Sequence, residues 1–402
     1  MIQIAKPSAP PAAPVFPLFA LGFRPFFLAG AGFGVVGVAL WIAALLGAAQ
    51  PAFQPLGGWL TWHRHEMPFG FALAIVAGFS LTAIQNWTGQ ASLKGAPLAV
   101  LCGFWLSARL FWLGGAPWEY AFAADSAFLL TLACAVGRML WRARQTHSIA
   151  LPLTIALLWL ADAEFFAGLA RGDADLSARA ALSAIWLITA LMTMIGGRVI
   201  PFFTQQTFRD KAARHTPLAL DAALMLSALA LSFLAALGAG RAANALWTPF
   251  FLALFAGHCW RFFVWRGHTP AIWRVPLLWP LFASMLWLCL SLLGFALFHA
   301  GMAAAYFPAL HALTIGAMGG LILAMIARVS LAHTGRPLIA SRPMFWAFTS
   351  LNLGGIARVF LAPFFYAAGL SAAAFFWVAA FMIFVWQYAP MLCRARADGT
   401  PG

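Results

Sequence analysis

The chain has 402 residues, of which 63% are hydrophobic and only 8% are charged, and its formal net charge at pH 7 is +14. Soluble domains carry roughly 25% charged residues, so this composition excludes a water-soluble globular protein and requires lipid as the solvent. The basic residues are scattered along the chain. This pattern argues against a nucleic-acid partner and is typical of the cytoplasmic loops of a membrane protein.

Apolar segments long enough to cross a bilayer as helices follow one another along the whole chain. We therefore predict an all-α, polytopic membrane protein with about twelve transmembrane helices. The predicted spans cover residues 26–48, 64–86, 96–113, 118–140, 149–169, 177–200, 216–236, 242–262, 275–297, 306–329, 343–363 and 367–389. They form one transmembrane domain at 21–393, between a short disordered cytoplasmic tail at 1–20 and a cytoplasmic tail at 394–402.

The distribution of Lys and Arg predicts that both termini are cytoplasmic. Of the 24 basic residues, 17 fall in the terminal segments and loops on one side and three fall within spans. The loops on the opposite side hold only Arg64, Arg171, Arg179 and Arg241. Because cytoplasmic loops are enriched in Lys and Arg, the side with 17 basic residues is assigned to the cytoplasm, and the number of spans is even.

Three spans share a pattern at their cytoplasmic ends. The second, sixth and tenth spans end in polar motifs, which are NWTG at 86–89, GRVIP at 197–201 and ARV at 327–329. Each motif follows a helix rich in Gly, Ala and Thr, a composition that suits close packing in lipid. The spacing of four helices is compatible with a threefold pseudo-symmetric bundle and also with chance.

His311 is the first candidate for a functional residue, because ionisable groups inside a membrane are costly and need a reason to be there. It lies about five residues into the tenth span, roughly 7–8 Å deep at 1.5 Å per residue. Neutral imidazole is a common metal ligand. Gly316, Gly319 and Gly320 open one face of the span to a flat partner, either another helix or a porphyrin. We interpret His311 as a metal ligand, with a buried structural histidine as the alternative.

A second histidine group, His63-Arg64-His65-Glu66, begins the second span at the same predicted membrane level. Residues two apart on a helix point about 200° apart, so His63 and His65 cannot both face one metal if the helix has begun at His63. One of them would then coordinate a metal, while the other caps the helix or binds a second group. Glu66 follows His63 by three residues and is positioned to orient its ring as a hydrogen-bond acceptor. The alternative is an interfacial loop anchored at the lipid headgroups by tryptophans.

Two arginines, Arg109 and Arg358, lie within spans toward their outer ends. One interpretation pairs them with acidic residues of neighbouring spans, namely Asp125, Asp162 or Glu164. In the other interpretation, the two arginines bind the propionate groups of a haem that is held near the outer face of the membrane. A haem between two histidines of different helices has known axial ligation, and loss of one ligand opens a position for a diatomic gas.

Several longer motifs together resemble the NnrS family of bacterial membrane proteins. They are LGFRPFF at 21–27, WHRHEMPFG at 62–70, NWTG at 86–89, GGRVIPFFT at 196–204 and HALTIGAMGGLILAMIARVSLAHTGRPL at 311–338. The resemblance runs from about residue 20 to the C-terminus. It implies a haem- and copper-containing protein of the bacterial inner membrane that acts in nitric oxide metabolism, denitrification or resistance to nitrosative stress.

The same resemblance assigns candidate roles to particular residues. It implies a metal site at His63, His65 and His311. It also implies a motif role of unknown kind for Arg24, Arg198, Arg328 and His333.

The twelve-span plan also looks like the catalytic subunit of haem–copper oxidases and nitric oxide reductases, whose haem histidines lie on the second and tenth helices. This chain departs from that pattern. Its tenth span has His311 alone, and its sixth and seventh spans contain no histidine. We therefore expect no standard dinuclear haem–copper centre, and the candidates for a copper ligand are His65 and His299.

These observations favour a haem-binding inner-membrane protein with its haem between the second and tenth helices, near the periplasmic side. The expected cofactor is a b-type haem, with copper as a second candidate, and the expected ligand is nitric oxide or another small diatomic molecule. No motif identifies a redox partner, and enzymatic activity is left open. The alternatives are a secondary transporter, which glycine- and proline-interrupted helices would suit, and a factor that delivers haem or copper to respiratory enzymes.

Overall fold

The computed structural model of the protein describes residues 15–47, 54–146, 148–208 and 216–400. Within these ranges the chain is helical and contains no strand. The long helices of the described residues are α1 Phe23–Leu45, α2 Trp59–Thr88, α3 Ala96–Leu113, α4 Trp118–Arg142, α5 Ala150–Arg171, α6 Ala174–Phe208, α7 Leu218–Ala236, α8 Thr248–Val264, α9 Trp279–His299, α10 Ala303–His333, α11 Arg342–Leu361 and α12 Tyr366–Leu392. The basic residues Lys6, Arg209, Lys211 and Arg214, and most of the predicted tail at 1–20, lie outside the described residues.

The predicted all-α, multi-pass architecture is confirmed. Eleven of the described helices are long and apolar enough to cross a membrane. The remaining one, α8, has 17 residues and occupies the place of the predicted span 242–262. Roughly 17 residues is the shortest helix that crosses a typical bilayer, so α8 stands at that limit. The division into one transmembrane domain and two tails stays a prediction.

Three helices at intervals of four, α2, α6 and α10, form the interior of the bundle. In each of them 78% of the residues in the most apolar stretch are buried, and α9 follows with 72%. The other candidate spans among the described residues have 28–44% of that stretch buried. The second, sixth and tenth spans, which share polar ends in the sequence, therefore also share a central position.

Arginine side chains link the carboxyl-terminal ends of these three central helices, which we call the inner ends. The Arg198 guanidinium of α6 lies over the Trp87 ring of α2, 5.4 Å from its centroid. The Arg328 guanidinium of α10 lies 3.7 Å from the centroid of Phe203 on α6. Because a cation is attracted to the face of an aromatic ring, two of the motif arginines link α2, α6 and α10 at the ends that the sequence predicts to be cytoplasmic.

The first and last helices close the bundle against each other. Arg24 of α1 is fully buried, and its Nη1 donates to the carbonyl oxygens of Leu392 at 3.1 Å and Arg394 at 2.6 Å. The indole Nε1 of Trp377 on α12 donates to the Gly34 carbonyl of α1 at 3.0 Å. Arg24 therefore caps the carboxyl end of α12, where the carbonyls have no partner within their own helix.

The segment after α12 packs under the inner end of α10. The backbone N–H of Ala397 donates to the Thr334 carbonyl at 2.9 Å, and Arg396 Nη1 donates to the His333 carbonyl at 3.1 Å. His333 Nε2 lies 3.4 Å from Asn86 Nδ2 of α2. Arg396 also donates to Asp398 from Nε at 3.0 Å and from Nη2 at 2.5 Å, and these hydrogen bonds hold the pKa of Asp398 below its ordinary value.

The glycine face of α10 is covered by tryptophan rings of neighbouring helices. A Cβ placed on Gly316 would lie 2.3 Å from Trp287 of α9, and one on Gly319 would lie 2.7 Å from Trp377 of α12. Trp287 Nε1 donates to Asn352 Oδ1 of α11 at 2.8 Å. Packing against indole rings of neighbouring helices therefore accounts for these glycines. The sequence left open whether this face meets another helix or a porphyrin, and in the structure it meets tryptophan side chains of other helices.

We expect Gly316→Ala to destabilise the protein by about 1–3 kcal/mol, the usual cost of overpacking a close-packed interior. The added methyl group would meet the Cβ and Cγ of Trp287, which are the least movable atoms of that side chain. Thermal unfolding of the detergent-solubilised protein, followed by tryptophan fluorescence, measures the loss. Gly103→Ala is the matched control, because no neighbouring atom lies within 4 Å of a Cβ at that α3 position. Equal midpoint temperatures of thermal unfolding for the two variants would contradict the packing argument.

Candidate functional site

Three turns of π-helix interrupt the long helices of the described residues. They cover Glu66–Ala72 in α2, Ala312–Gly319 in α10 and Ala357–Leu361 in α11. The first begins directly after His65, the second begins directly after His311, and the third contains Arg358. Widened turns of this kind are rare and occur often at functional sites. The three interruptions therefore mark the residues that the sequence had singled out.

The widened turn in α2 has a local cause in the sequence. Pro68 has no backbone N–H, so the carbonyl of Arg64 loses its ordinary α-helical partner four residues later. A change in hydrogen-bond pattern at this point lets the helix continue through a proline near its outer end. The displaced turn alters which side chains share a face, and this affects the histidines immediately before it.

His63 and His65 point to different parts of the bundle, as their two-residue spacing requires. The His63 ring stacks on Trp41 of α1, with ring centroids 4.6 Å apart and planes 10° apart. His63 is half-buried, and its buried Nδ1 has no hydrogen-bond partner among the described residues. His65 is fully buried and stacks on Trp112 of α3 at 4.0 Å. The two histidines therefore belong to two separate groups.

The His311 ring has one nitrogen engaged and one free to act as a ligand. Its Nδ1 lies 2.8 Å from the Phe307 carbonyl oxygen one turn earlier. A carbonyl can only accept, so Nδ1 carries the hydrogen and Nε2 keeps its lone pair. Histidines that bind metals usually donate their other N–H to a carbonyl or carboxylate in this way. His311 is half-buried and is thus presented as a ligand with a fixed tautomer.

His63, His311 and Arg358 lie in one electrostatic neighbourhood. The Arg358 charge acts on both imidazoles, and His63 acts on His311. The turn Tyr306–His311 packs against the widened turn Ala357–Leu361 that carries Arg358. We call these three residues, from α2, α10 and α11, the His63–His311 site. It combines two imidazoles from different helices with one cation.

Arg109 belongs to the second group and is fully engaged there. Its Nη2 lies 2.5 Å from Asp125 Oδ1, and its Nε lies 3.0 Å from Glu66 Oε2. Its Nη1 donates to the Phe69 carbonyl at 3.0 Å. All three guanidinium nitrogens of Arg109 therefore face protein oxygens. Of the two interpretations left open by the sequence, the ion pair is the arrangement that the structure contains for Arg109.

His65 bridges two carboxylates in this group. Its Nδ1 lies 2.9 Å from Glu66 Oε1, and its Nε2 lies 2.7 Å from Asp162 Oδ1 of α5. We expected Glu66 to orient His63, and this expectation is corrected, because the Glu66 carboxylate contacts His65. The reason is that Arg109 on α3 draws the carboxylate toward its own helix. We call His65, Glu66, Arg109, Asp125 and Asp162 the carboxylate cluster.

In the sequence, Asp125 and Asp162 were candidate partners for an arginine. In the structure Asp125 also accepts from Trp112 Nε1 at 3.2 Å, and Asp162 contacts an imidazole. A signal for this was present, since Asp125, Asp162 and His65 all fall in the outer halves of spans of the first part of the chain. Nothing in one sequence joins spans that are not adjacent, so the cluster could not be assembled from spacing.

His299 lies in an aromatic environment of its own at the outer end of α9. It is 3% exposed, and its ring stacks on Phe251 of α8 at 5.3 Å. Its Nδ1 accepts from the Asn244 backbone N–H at 3.3 Å. A cavity of about 20 Å³ adjoins the ring. None of the contacts of His299 within the described residues involves His65, so the structure does not bring these two copper candidates together.

Comparison with known proteins gives one family. A family model described as NnrS protein matches residues 17–396, which is nearly the whole chain. A search of curated proteins finds no match. The matched range includes the His63–His311 site, the carboxylate cluster and the motif residues Arg24, Arg198, Arg328 and His333.

Proposed function

The chain belongs to the NnrS family, and on this premise we propose that it is a haem-binding protein of the bacterial inner membrane that captures nitric oxide. Family membership supports a nitric-oxide-related membrane protein in general terms, and eleven apolar helices make the protein multi-pass. The position of the haem, its b type and its ligands are the finer parts of the proposal.

The observation that carries the proposal is the pairing of two imidazoles from α2 and α10 with a cation from α11. His311 offers Nε2 with its lone pair, and the buried Nδ1 of His63 has no hydrogen-bond partner in the described part of the chain. A buried polar atom without a partner is costly, and coordination to a metal would remove that cost. Arg358 is within electrostatic reach of both rings and would hold a haem propionate. The residues present therefore fit a haem.

Haem iron, when bound, supplies a position for a diatomic gas if one axial ligand can leave. The protein determines which ligand leaves through the support that each ring has. The Phe307 carbonyl fixes His311 in one tautomer, whereas the His63 ring is held by stacking on Trp41. Of the two residues that would hold the haem, His63 would therefore be the one more readily displaced, and nitric oxide would reach the site from the lipid. The proposal includes binding and makes no claim of turnover.

The test is an optical spectrum of the detergent-purified full-length protein from haem-replete cells. The protein is measured oxidised, reduced with dithionite, and reduced with nitric oxide added. We expect a Soret band that shifts on reduction and shifts again with nitric oxide, because one imidazole is replaced. Pyridine haemochrome analysis then identifies the haem as b-type.

Three other spectroscopic results would contradict all or part of this proposed function. A protein that is colourless from such cells, and stays colourless after reconstitution with haemin, would contradict the proposal and favour a transporter. A haem that binds but is removed by washing with apomyoglobin would favour a delivery factor. A tightly held haem whose spectrum does not respond to nitric oxide would contradict the gas-binding role alone.

A further inference from the structure

A second set of buried metal-ligating groups lies in the carboxylate cluster, apart from the His63–His311 site. One ligand atom from each of His65, Asp125 and Asp162 lies within 4.8 Å of the others. These residues are 0%, 1% and 0% exposed, and they come from α2, α4 and α5. Buried carboxylates at this separation repel each other unless positive charge lies between them.

The charges of the cluster do not balance. Glu66, Asp125 and Asp162 carry three negative charges when ionised, and Arg109 is the cation that contacts them. With neutral His65 the cluster has a net charge of −2. Buried charge without compensation is strongly disfavoured, so either protons on the carboxylates or two further positive charges are needed to balance the cluster. One divalent cation supplies two such charges.

An unpartnered atom points to the same conclusion independently. Asp162 Oδ2 is buried and has no hydrogen-bond partner among the described residues. The other oxygen of that carboxylate, Oδ1, contacts His65 Nε2 at 2.7 Å. His65 Nδ1 faces the Glu66 carboxylate at 2.9 Å. This is the arrangement by which proteins orient an imidazole whose other nitrogen binds a metal.

We propose that His65, Asp125 and Asp162 bind one divalent first-row transition-metal ion, with Glu66 orienting the His65 ring. One imidazole nitrogen with carboxylate oxygens suits Zn²⁺, Mn²⁺ or Fe²⁺, whereas Cu⁺ prefers sulfur ligands. Ligands at about 2.0–2.2 Å from an ion lie roughly 3–4 Å from each other. The 2.7 Å between His65 Nε2 and Asp162 Oδ1 would therefore widen slightly on binding, and ligand atoms up to 4.8 Å apart would move slightly closer.

The surroundings give this ion a structural role. The His65 ring is enclosed by Trp112, Phe69, Phe165 and Phe166, with ring centroids between 4.0 and 5.5 Å away. Catalytic metals keep an open coordination position that a substrate can reach. The three proposed ligands are at most 1% exposed. The ion therefore joins α2, α4 and α5, and it is separate from the haem.

The experiment uses the full-length protein in detergent, stripped with a chelator and then loaded with Zn²⁺ or Mn²⁺ before unbound metal is removed. Metal per chain is measured by plasma mass spectrometry, and haem is measured by its spectrum. We expect one ion per chain in addition to haem iron. Asp162→Asn should weaken metal binding by about 100-fold or more, because it removes a direct ligand. The haem spectrum should stay unchanged.

Asp221→Asn is the matched control, because it also removes a carboxylate that faces an intramembrane arginine. Asp221 Oδ1 lies 3.3 Å from Arg261 Nε, between α7 and α8. This variant should bind metal like the wild type. A wild-type protein that elutes as a folded species yet binds neither Zn²⁺ nor Mn²⁺ would overturn the proposal and assign the two charges to protons. Unchanged metal in folded Asp162→Asn would also overturn it. Loss of haem with metal retained would contradict only the proposed function.

Discussion

Replacing His311 with alanine is expected to remove the haem and leave a folded membrane protein. The side chain makes one hydrogen bond, to the Phe307 carbonyl of its own helix, and is half-buried. Losing a bond of this kind costs the fold about 1 kcal/mol. Losing an axial ligand removes a bond to iron, so we expect haem content to fall by at least about tenfold. The Soret absorbance per chain measures this directly.

The control for this variant is His258→Gln. His258 on α8 resembles the proposed ligand His63 in that its buried Nδ1 has no hydrogen-bond partner in the described residues. It lies at the opposite, inner end of the bundle and should not change haem content. Rescue of the alanine variant by free imidazole would show that only the ligand was lost. An unchanged spectrum in His311→Ala would remove this residue from the ligand set.

Replacing Arg109 with methionine is expected to destabilise the protein by about 3–5 kcal/mol, the usual consequence of removing one partner from a buried ion pair. Arg109 is 3% exposed, and its nitrogens contact Asp125 and Glu66. The variant would leave both carboxylates without their cation in a dry part of the bundle. The free energy of unfolding is measured by denaturation with SDS in mixed micelles.

Arg179→Met provides the comparison for Arg109→Met, because it removes an arginine from a surface ion pair. Arg179 Nε lies 3.0 Å from Asp175 Oδ2, and these side chains are 25% and 60% exposed. Exposed pairs contribute roughly 0–1 kcal/mol, so the loss should be small. Adding Asp125→Asn to Arg109→Met should recover part of the stability, since it removes one stranded charge. Similar losses for the two single arginine variants would show that burial of the cluster has little energetic effect.

The helical architecture could be predicted from the sequence because hydropathy acts over short stretches. Spans of about 20 apolar residues are visible without any knowledge of their neighbours. The predicted ends of the central helices were less accurate. The sixth span was predicted to end at residue 200, whereas α6 ends at Phe208. Tertiary packing extends such a helix beyond its apolar core, and no local signal records that packing.

The candidate residues were visible for a different reason, since an ionisable group in an apolar stretch is conspicuous wherever it stands. The Arg109–Asp125 ion pair was one of two interpretations of the sequence, but the other partners could not be predicted. That Glu66 contacts His65, or that Trp287 covers Gly316, depends on which helices are neighbours and on the widened turn after His65. Both follow from long-range packing, which hydropathy and spacing in one sequence do not encode.

The contact between the two ends of the chain has a consequence for biosynthesis. Arg24 near the start of α1 finds its acceptors 368 and 370 residues later, at Leu392 and Arg394. At roughly 5–20 residues per second, a ribosome needs about 20–70 seconds to deliver those carbonyls. During that interval α1 sits in the lipid bilayer with its guanidinium short of these two partners. The hydrogen bonds by which Arg24 caps α12 therefore form only after nearly the whole chain has been made.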